Sequence, residues 1–224
     1  MLVLALDTTT PRGSCAVLAD DRVLREETSD PERAHATRLP GDLMVLLAHA
    51  DVRLSDVDLF AVATGPGSFT GLRIGIAAMQ GLAFANGKPL VGISALDALA
   101  SIAGPGRVAT WVDAWRGEVY AALYDGGRVL VEPVVVSPDV WLDDVSTATT
   151  FVGDGAEHYR ERITERLGGL ARFNPVLQPA LASTIARRAY DVVRRGEQPA
   201  PDAIRPIYVR RPDAELAREV RRGG

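Results

Sequence analysis

The sequence predicts an α/β protein of two lobes that share one βββαβα arrangement. In each half an apolar strand ends in an aspartate, Asp7 in the first and Asp113 in the second, and short strands follow. Farther along each half a strand leads into a glycine turn, Gly65-Pro66-Gly67 or Gly153-Asp154-Gly155, and then into a helix. The same order of elements twice in one chain indicates an internal duplication.

Apolar periodicity and turn residues predict the strands and helices of the first half. Its strands are at residues 2–6, 14–18, from 23, 59–63 and 89–93, and its helices at about 32–49, after Gly-Pro-Gly, and at 95–103. The helix at 32–49 has an apolar stripe formed by Leu39, Leu43, Leu46 and Leu47. We expect Pro40-Gly41 to kink this helix, and Ser94 with Asp97 to cap the helix at 95–103.

The second half repeats the pattern after a strong break at Gly104-Pro105-Gly106. Its strands are predicted at residues 108–112, 117–123, 129–131 and 149–152, and its helices at 156–167 and 183–195. We therefore expect a first lobe over residues 1–104 and a second over 105–195. The segment from about 196 to 224 is expected to pack back on the first lobe.

Composition excludes several classes of function. The 224 residues carry a formal net charge of −4, which argues against a chain that coats nucleic acid by itself. The Gly-Lys-Ser/Thr of a P-loop is absent, and Cys15 is the only cysteine, which indicates a reducing compartment. Asp7 interrupts the first apolar run too early for a signal peptide, and no apolar run reaches membrane-spanning length. A cytoplasmic protein is expected.

The glycine-rich turn that opens at Gly65 has two interpretations. Its backbone N–H groups, at the start of a helix, could hold an anion, or the turn could serve packing alone. The helix that follows has small residues on two stripes: Gly71, Gly75 and Ala78, and Ala77, Gly81 and Ala85. Each helical glycine costs about 1 kcal/mol relative to alanine, so close packing must offset it. The packing partner is either this lobe's own sheet or another protein.

Candidate catalytic and metal-binding residues are few. His35 has Leu39 at i+4, so the His-x-x-x-His pair that grips a metal from one helix face is absent, and no metal site is predicted. Asp7 could order a metal-bound water or a phosphate, or could cap the Thr8–Thr10 turn. Asp113 occupies the equivalent place in the second lobe, but Ala114-Trp115-Arg116 after it lacks the glycines expected around phosphates. We predict no catalytic residue.

Repeated lobes with an aspartate after the first strand are similar to the actin/hexokinase/Hsp70 superfamily, a ribonuclease H-like fold. Four stretches are more specific: Leu4-Ala5-Leu6-Asp7-Thr8-Thr9, Gly65-Pro66-Gly67-Ser68-Phe69-Thr70-Gly71-Leu72-Arg73-Ile74-Gly75, Gly117-Glu118-Val119-Tyr120 and Pro206-Ile207-Tyr208-Val209-Arg210. From residue 1 to about 211 the chain resembles the TsaB/YeaZ family, the bacterial dimerisation subunit of the tRNA threonylcarbamoyladenosine system. Trp115 departs from the arginine common there.

The resemblance implies a scaffold rather than a catalyst. It implies a paralogous catalytic subunit, TsaD, that carries the metal, an ATPase subunit, TsaE, and tRNA that is met through the complex. This chain alone is then expected to bind no cofactor, and ATP and metal belong to the partner subunits. A homodimer through the partner surface is the expected fallback when the paralogue is absent.

The resemblance also assigns two groups of residues. The partner surface is expected on two first-lobe helices, at His35, Leu39, Leu43, Leu46, Phe69, Thr70, Gly71, Arg73, Ile74, Gly75 and Ala78. A vestigial nucleotide or phosphate site is expected at Asp7, Thr8, Thr9, Gly65, Gly67, Ser68, Asp113, Gly153 and Gly155.

Two other functions stay open from the sequence: a self-sufficient ATP-dependent phosphotransferase of the same superfamily, and a peptidase. The arginine-rich end offers a further candidate contact with tRNA phosphates, through Arg205, Arg210, Arg211, Arg218, Arg221 and Arg222. Acidic residues interleaved with these arginines make a solvated tail the alternative interpretation.

Overall fold

Two five-stranded sheets form the framework of the protein. A computed structural model describes residues 1–197 and 200–210. The first sheet contains β1 (Leu2–Asp7), β2 (Ser14–Ala19), β3 (Arg22–Thr28), β4 (Leu59–Gly65) and β5 (Leu90–Ser94), in the order β3-β2-β1-β4-β5. The second contains β6 (Arg107–Asp113), β7 (Val119–Asp125), β8 (Arg128–Val136), β9 (Thr149–Val152) and β10 (Ala171–Phe173), in the order β10-β9-β6-β7-β8.

The two sheets are equivalent strand for strand. In each, the first three strands are antiparallel, and the fourth runs parallel to the first and lies beside it. The fifth strand then pairs in parallel with the fourth. The predicted two-lobed α/β duplication is confirmed.

Seven α-helices cover the sheets in the described part of the chain. They are α1 (His35–His49), α2 (Phe69–Asn86), α3 (Ala95–Ala103), α4 (Pro138–Asp143), α5 (Asp154–His158), α6 (Arg160–Leu167) and α7 (Ala182–Arg194). Helices α1 and α2 pack on the outer face of the first sheet, where their leucines and Met79 meet Leu4 and Phe60. In the second lobe, Trp111, Trp141 and Phe151 form an aromatic core with edge-to-face rings. None of the described helices combines the length and apolar character needed to cross a membrane.

The predicted helix at 156–167 is wrong in one respect, because it is two helices. Tyr159, with φ −100° and ψ 18°, separates α5 from α6. Helix α1 begins at His35 rather than at 32, since Ala34 has an extended backbone. The short α4 and β10 were not predicted, because six residues and three residues are too few to show a period.

Helices α3 and α7 lie between the sheets and share one core with both of them. Helix α7, from the segment predicted as the second lobe, has its N-terminus held by the first sheet. Ser14 Oγ accepts from the N–H groups of Leu181 and Ala182, at 3.2 and 3.1 Å, and Glu26 accepts from Ser183. The division at residues 104 and 105 stays a prediction, since the packing of α7 crosses it.

The segment over residues 200–210 runs along both lobes. The Gln80 amide donates to the carbonyls of Pro201 and Ile204, and Ile207 N–H donates to Thr64 O at 2.7 Å. Arg210 then reaches the hairpin between β6 and β7, where it donates to Ala114 O. Gln198, Pro199 and residues 211–224, which include Arg211, Arg218, Arg221 and Arg222, lie outside the described residues.

We predict that Ser14→Ala destabilises the protein by about 1–2 kcal/mol, because two buried N–H groups at the start of α7 lose their acceptor. Denaturant unfolding measures the change in free energy. The control is Ser55→Ala, since Ser55 is exposed and bonds only to the neighbouring Asp56. Equal effects of the two substitutions would contradict the capping role of Ser14.

Candidate partner surface and inter-lobe cleft

The cleft between the lobes is almost closed. It is lined by Asp7, Thr9, Arg12, Asp154 and Gln178, among others, and encloses about 40 Å³. Pockets that hold small molecules and cofactors typically measure about 300–1,000 Å³. A nucleotide would therefore require the lobes to separate from this conformation.

Asp7 stabilises the loop that follows β1. Its Oδ1 accepts from the N–H of Thr9 at 2.9 Å and from the Thr9 hydroxyl at 2.7 Å. Burial raises the pKa of Asp7, and the two bonds from Thr9 oppose that shift. These hydrogen bonds are those expected if Asp7 caps the Thr8–Thr10 turn.

Asp154 accepts backbone hydrogen bonds in the second lobe as Asp7 does in the first. It was not among the residues expected at the nucleotide or phosphate site. Its Oδ1 accepts from the N–H groups of Asp113 and Gly155, at 3.1 and 2.9 Å. Burial raises its pKa to about 6. The sequence signal for this role is the acidic residue between the two glycines of Gly153-Asp154-Gly155. Asp113 itself accepts from the N–H of Trp115.

The glycine turn before α2 is occupied by the chain's own backbone. Ser68 N–H donates to Thr9 O at 2.7 Å, and Ser68 Oγ caps α2 by accepting from Gly71 N–H at 3.2 Å. A Cβ on Gly67 would lie 2.5 Å from Thr9 O. In the second lobe, a Cβ on Gly153 would lie 2.0 Å from Trp111 O. Both turns have the geometry of close packing rather than of an open anion site.

Five of the residues expected at the partner surface are buried in the first lobe: Leu39, Leu43, Leu46, Gly71 and Gly75. A Cβ on Gly71 would lie 2.2 Å from Thr8 O, and one on Gly75 would lie 2.3 Å from Thr8 Oγ1. These glycines therefore admit the loop after β1. Leu46 is 0% exposed and belongs to the first-lobe core. Of the other expected positions, Thr70 is exposed, and Ile74 and Ala78 are partly exposed.

His35 is held within the chain. Arg38 can only donate, so its contact with His35 Nδ1 at 2.8 Å makes Nδ1 an acceptor. Nε2 then carries the proton and donates to Thr10 O at 3.0 Å. Burial, followed by the charge of Arg38, lowers the pKa of His35. Both ring nitrogens are engaged, so His35 has no free nitrogen for a metal. Among the described residues, no three His, Cys, Asp or Glu side chains form a potential metal cluster.

Arg38 is a buried centre of hydrogen bonds between α1 and the loop after β1. Besides His35, it donates to the carbonyls of Pro11, Arg12 and Arg33 and to Asp42. Its side chain is only 3% exposed. Because every one of these contacts is charge-assisted, Arg38 fixes the loop firmly against α1.

Helices α1 and α2 together present an uncharged outer surface, which we call the two-helix face. Its exposed members are Pro40, Met44, Val45, Ala77, Gly81, Phe84 and Ala85. Met44 is 64% exposed and Phe84 87% exposed. A groove of about 430 Å³ lies between the helices, with Leu39 and Leu43 at its base. An exposed helix surface in a monomer is normally polar, so this face indicates a protein partner.

An aromatic and arginine cluster lies at the start of α2. The guanidinium carbon of Arg73 lies 3.9 Å from the ring centroid of Phe69, and Arg73 Nε donates to the Tyr208 hydroxyl at 2.9 Å. The two rings are 5.3 Å apart. All three side chains are exposed, and Arg73 lies one helical turn before Ala77, so the cluster borders the two-helix face at one end.

Trp115 occupies the tip of the hairpin between β6 and β7. It is 66% exposed, and its φ of 60° is rare for a bulky residue. Arg116 has the same φ, and Gly117 follows at 78°. The tip has no glycine at its first two left-handed positions, which agrees with the absence of a glycine-rich phosphate loop here.

This chain is similar to known proteins over most of its length. The family model described as TsaD, tRNA N6-adenosine threonylcarbamoyltransferase, matches residues 23–217. The tRNA threonylcarbamoyladenosine biosynthesis protein TsaB of Escherichia coli (strain K12) is 31% identical over 94% of this chain and 95% of its own. An uncharacterised protein of Mycobacterium tuberculosis (strain ATCC 25618 / H37Rv) is 36% identical over 95% of this chain and 93% of its own.

The solved structure of YeaZ from Pseudomonas aeruginosa is 34% identical, with a TM-score of 0.74 over 92% of this chain and 99% of that one. A Mycobacterium leprae relative, 33% identical, is longer, and the chain spans 56% of its length. Fold and matches define a two-lobed protein of the group that includes TsaD and its relatives. Within this group, the chain belongs to the TsaB/YeaZ family.

We predict that Asp154→Asn stabilises the protein more at pH 7 than at pH 4.5. Because the folded pKa is raised from 3.8 to about 6, the folded protein binds a proton that the unfolded chain releases, and stability falls as pH rises through this window. Asparagine keeps an oxygen that accepts both backbone bonds. The gain over wild type should grow by about 2 kcal/mol between the two pH values. Denaturant unfolding at both pH values tests this, and parallel pH curves would refute it.

Proposed function

We propose that this chain is the non-catalytic subunit of the system that transfers a threonylcarbamoyl group to the adenosine beside the tRNA anticodon. It acts by binding and activating the paralogous catalytic subunit, TsaD. The single observation that carries the proposal is the two-helix face. Helix α2 contains one charged residue over Phe69–Asn86, and the outer surface of α1 is apolar around Met44 and Val45.

The shape of the two-helix face suits a helical partner. Ala77 and Gly81 leave the groove without bulky side chains, so a partner helix can approach closely. Among the described residues outside its own helical turns, no atom lies within 4 Å of a Cβ built on Gly81, in contrast to Gly75. No packing within the described chain requires a glycine at position 81 of α2. Gly81 lies on the two-helix face, where a partner helix would pack.

The internal hydrogen bonds of the candidate catalytic side chains support the absence of catalysis by this chain. Asp7 is bonded to Thr9, Asp154 to two backbone N–H groups, and His35 to Thr10 and Arg38. A general base needs reach to a substrate proton, and these groups are turned to the chain itself. We assign ATP and metal to the partner subunits, and contact with TsaE and tRNA to the assembled complex in the cytoplasm.

Met44→Glu should disrupt the complex without unfolding the chain. Met44 is 64% exposed, and glutamate is a good helix former, so monomer stability should change little. A carboxylate buried in an apolar interface without a partner should weaken binding of TsaD at least tenfold. Calorimetric titration with TsaD measures this, and nucleoside analysis of tRNA from cells carrying the variant measures the modification.

The control for Met44→Glu is Val176→Glu, because Val176 is 56% exposed in the second lobe. This variant should bind TsaD as the wild type does. If wild-type chain fails to bind TsaD, or if depletion of the chain leaves threonylcarbamoyladenosine unchanged in tRNA, the proposed function is wrong.

Titration of the isolated chain with ATP and Mg²⁺ should show no saturable binding at micromolar nucleotide and no phosphate release, because the cleft encloses only about 40 Å³. Tight binding with turnover would favour the phosphotransferase. The peptidase alternative is tested on the same sample with a protein substrate. Cleavage lost in both Asp7→Asn and His35→Gln would favour that function instead.

A further inference from the structure

Arg73 is the one charged residue of α2, and it stands at the end of the two-helix face. The guanidinium is held in place on one side by the Phe69 ring at 3.9 Å and through Nε by the Tyr208 hydroxyl at 2.9 Å. Within residues 1–197 and 200–210, no carboxylate pairs with it, although most arginines on other helices have one. A cation fixed in this way is oriented before any partner arrives.

The two helices of this chain have no carboxylate to offer in return. Asp42 is their only acidic residue, and it already accepts from Arg38 and from the Ser29 hydroxyl. A second copy that docked through the same two helices would bring another Arg73 and no free acid. Self-pairing would therefore desolvate an arginine without compensation, which costs affinity.

We infer that the partner subunit places an aspartate or glutamate against Arg73, and that this pair selects the heteromeric complex over self-pairing. The inference rests on the proposed function, because it concerns the partner of the same face. Phe69 and Tyr208 serve as positioning residues that hold the guanidinium toward the partner. The Arg73–carboxylate pair then forms in the heteromeric complex and is missing when two copies of this chain pair, and this difference gives the specificity.

The experiment compares Arg73→Gln and Arg73→Glu in two assays, titration with TsaD and sedimentation of the chain alone. The affinity for TsaD should fall about tenfold for Arg73→Gln and further for Arg73→Glu. Self-association should stay the same or tighten for Arg73→Gln, since the uncompensated cation is gone. Arg172→Glu on β10 is the control, because Arg172 is exposed in the second lobe and the charge change is identical.

A charge reversal on the partner identifies the acid. Among TsaD variants with one interface carboxylate changed to arginine, one should bind Arg73→Glu more tightly than wild-type TsaD does. Binding of Arg73→Gln within twofold of wild type would overturn the inference while leaving the proposed function intact. Failure of the wild-type chain to bind TsaD would remove both.

Two further results would also overturn it. If Arg73→Gln loses affinity for tRNA but keeps its affinity for TsaD, then Arg73 meets a phosphate instead. Glu32, exposed three residues before the start of α1, is an acid that a second copy could supply. If Glu32→Gln weakens self-association, a second copy does compensate Arg73, and the selection argument is wrong.

Discussion

The first lobe depends on the close approach of the Thr8–Thr10 backbone to helices α1 and α2. Thr8 fits against Gly71 and Gly75, where a Cβ would lie 2.2 and 2.3 Å from its atoms. From the other side, His35 and Arg38 bond to the carbonyls of residues 10–12. Asp7 closes the turn from within. One loop therefore joins the sheet, both helices and the cleft, and the glycine motif is explained by the backbone that it admits.

In the second lobe a helix also closely approaches the backbone at the end of the first strand, but different side chains make the contact. Gly153 and Gly155 let α5 approach the backbone from Trp111 to Asp113, and Asp154 accepts from the Asp113 N–H. The halves differ in their cover, because α1 spans 15 residues and its counterpart α4 spans 6. Only the first lobe carries the two long helices that form an uncharged outer surface. This asymmetry is the reason that the proposed partner surface lies on the first lobe.

A closed cleft and an open helix face together suit a protein that acts through another. The cleft side chains are turned inward to hydrogen bonds of the chain, whereas the two-helix face exposes apolar side chains such as Met44 and Phe84. Apolar groups in water are a cost that a partner removes. In the proposed function the acting site is therefore this apolar surface, and the inferred role of Arg73 at its end is to select the partner.

Periodicity and turn residues alone determined the duplication, the presence of the long helices and the glycine turns, since these depend on local backbone preferences. The short α4 and β10 and the break at Tyr159 escaped, because tertiary contacts stabilise elements too short to show a pattern. Leucine spacing located the stripe of α1, yet only packing could show that Leu46 is buried while Met44 is exposed. The same holds for the glycines of α2: Gly75 meets Thr8 and Gly81 meets open space. A sequence records which side chains are small or apolar, but which neighbours they face is decided when distant segments come together.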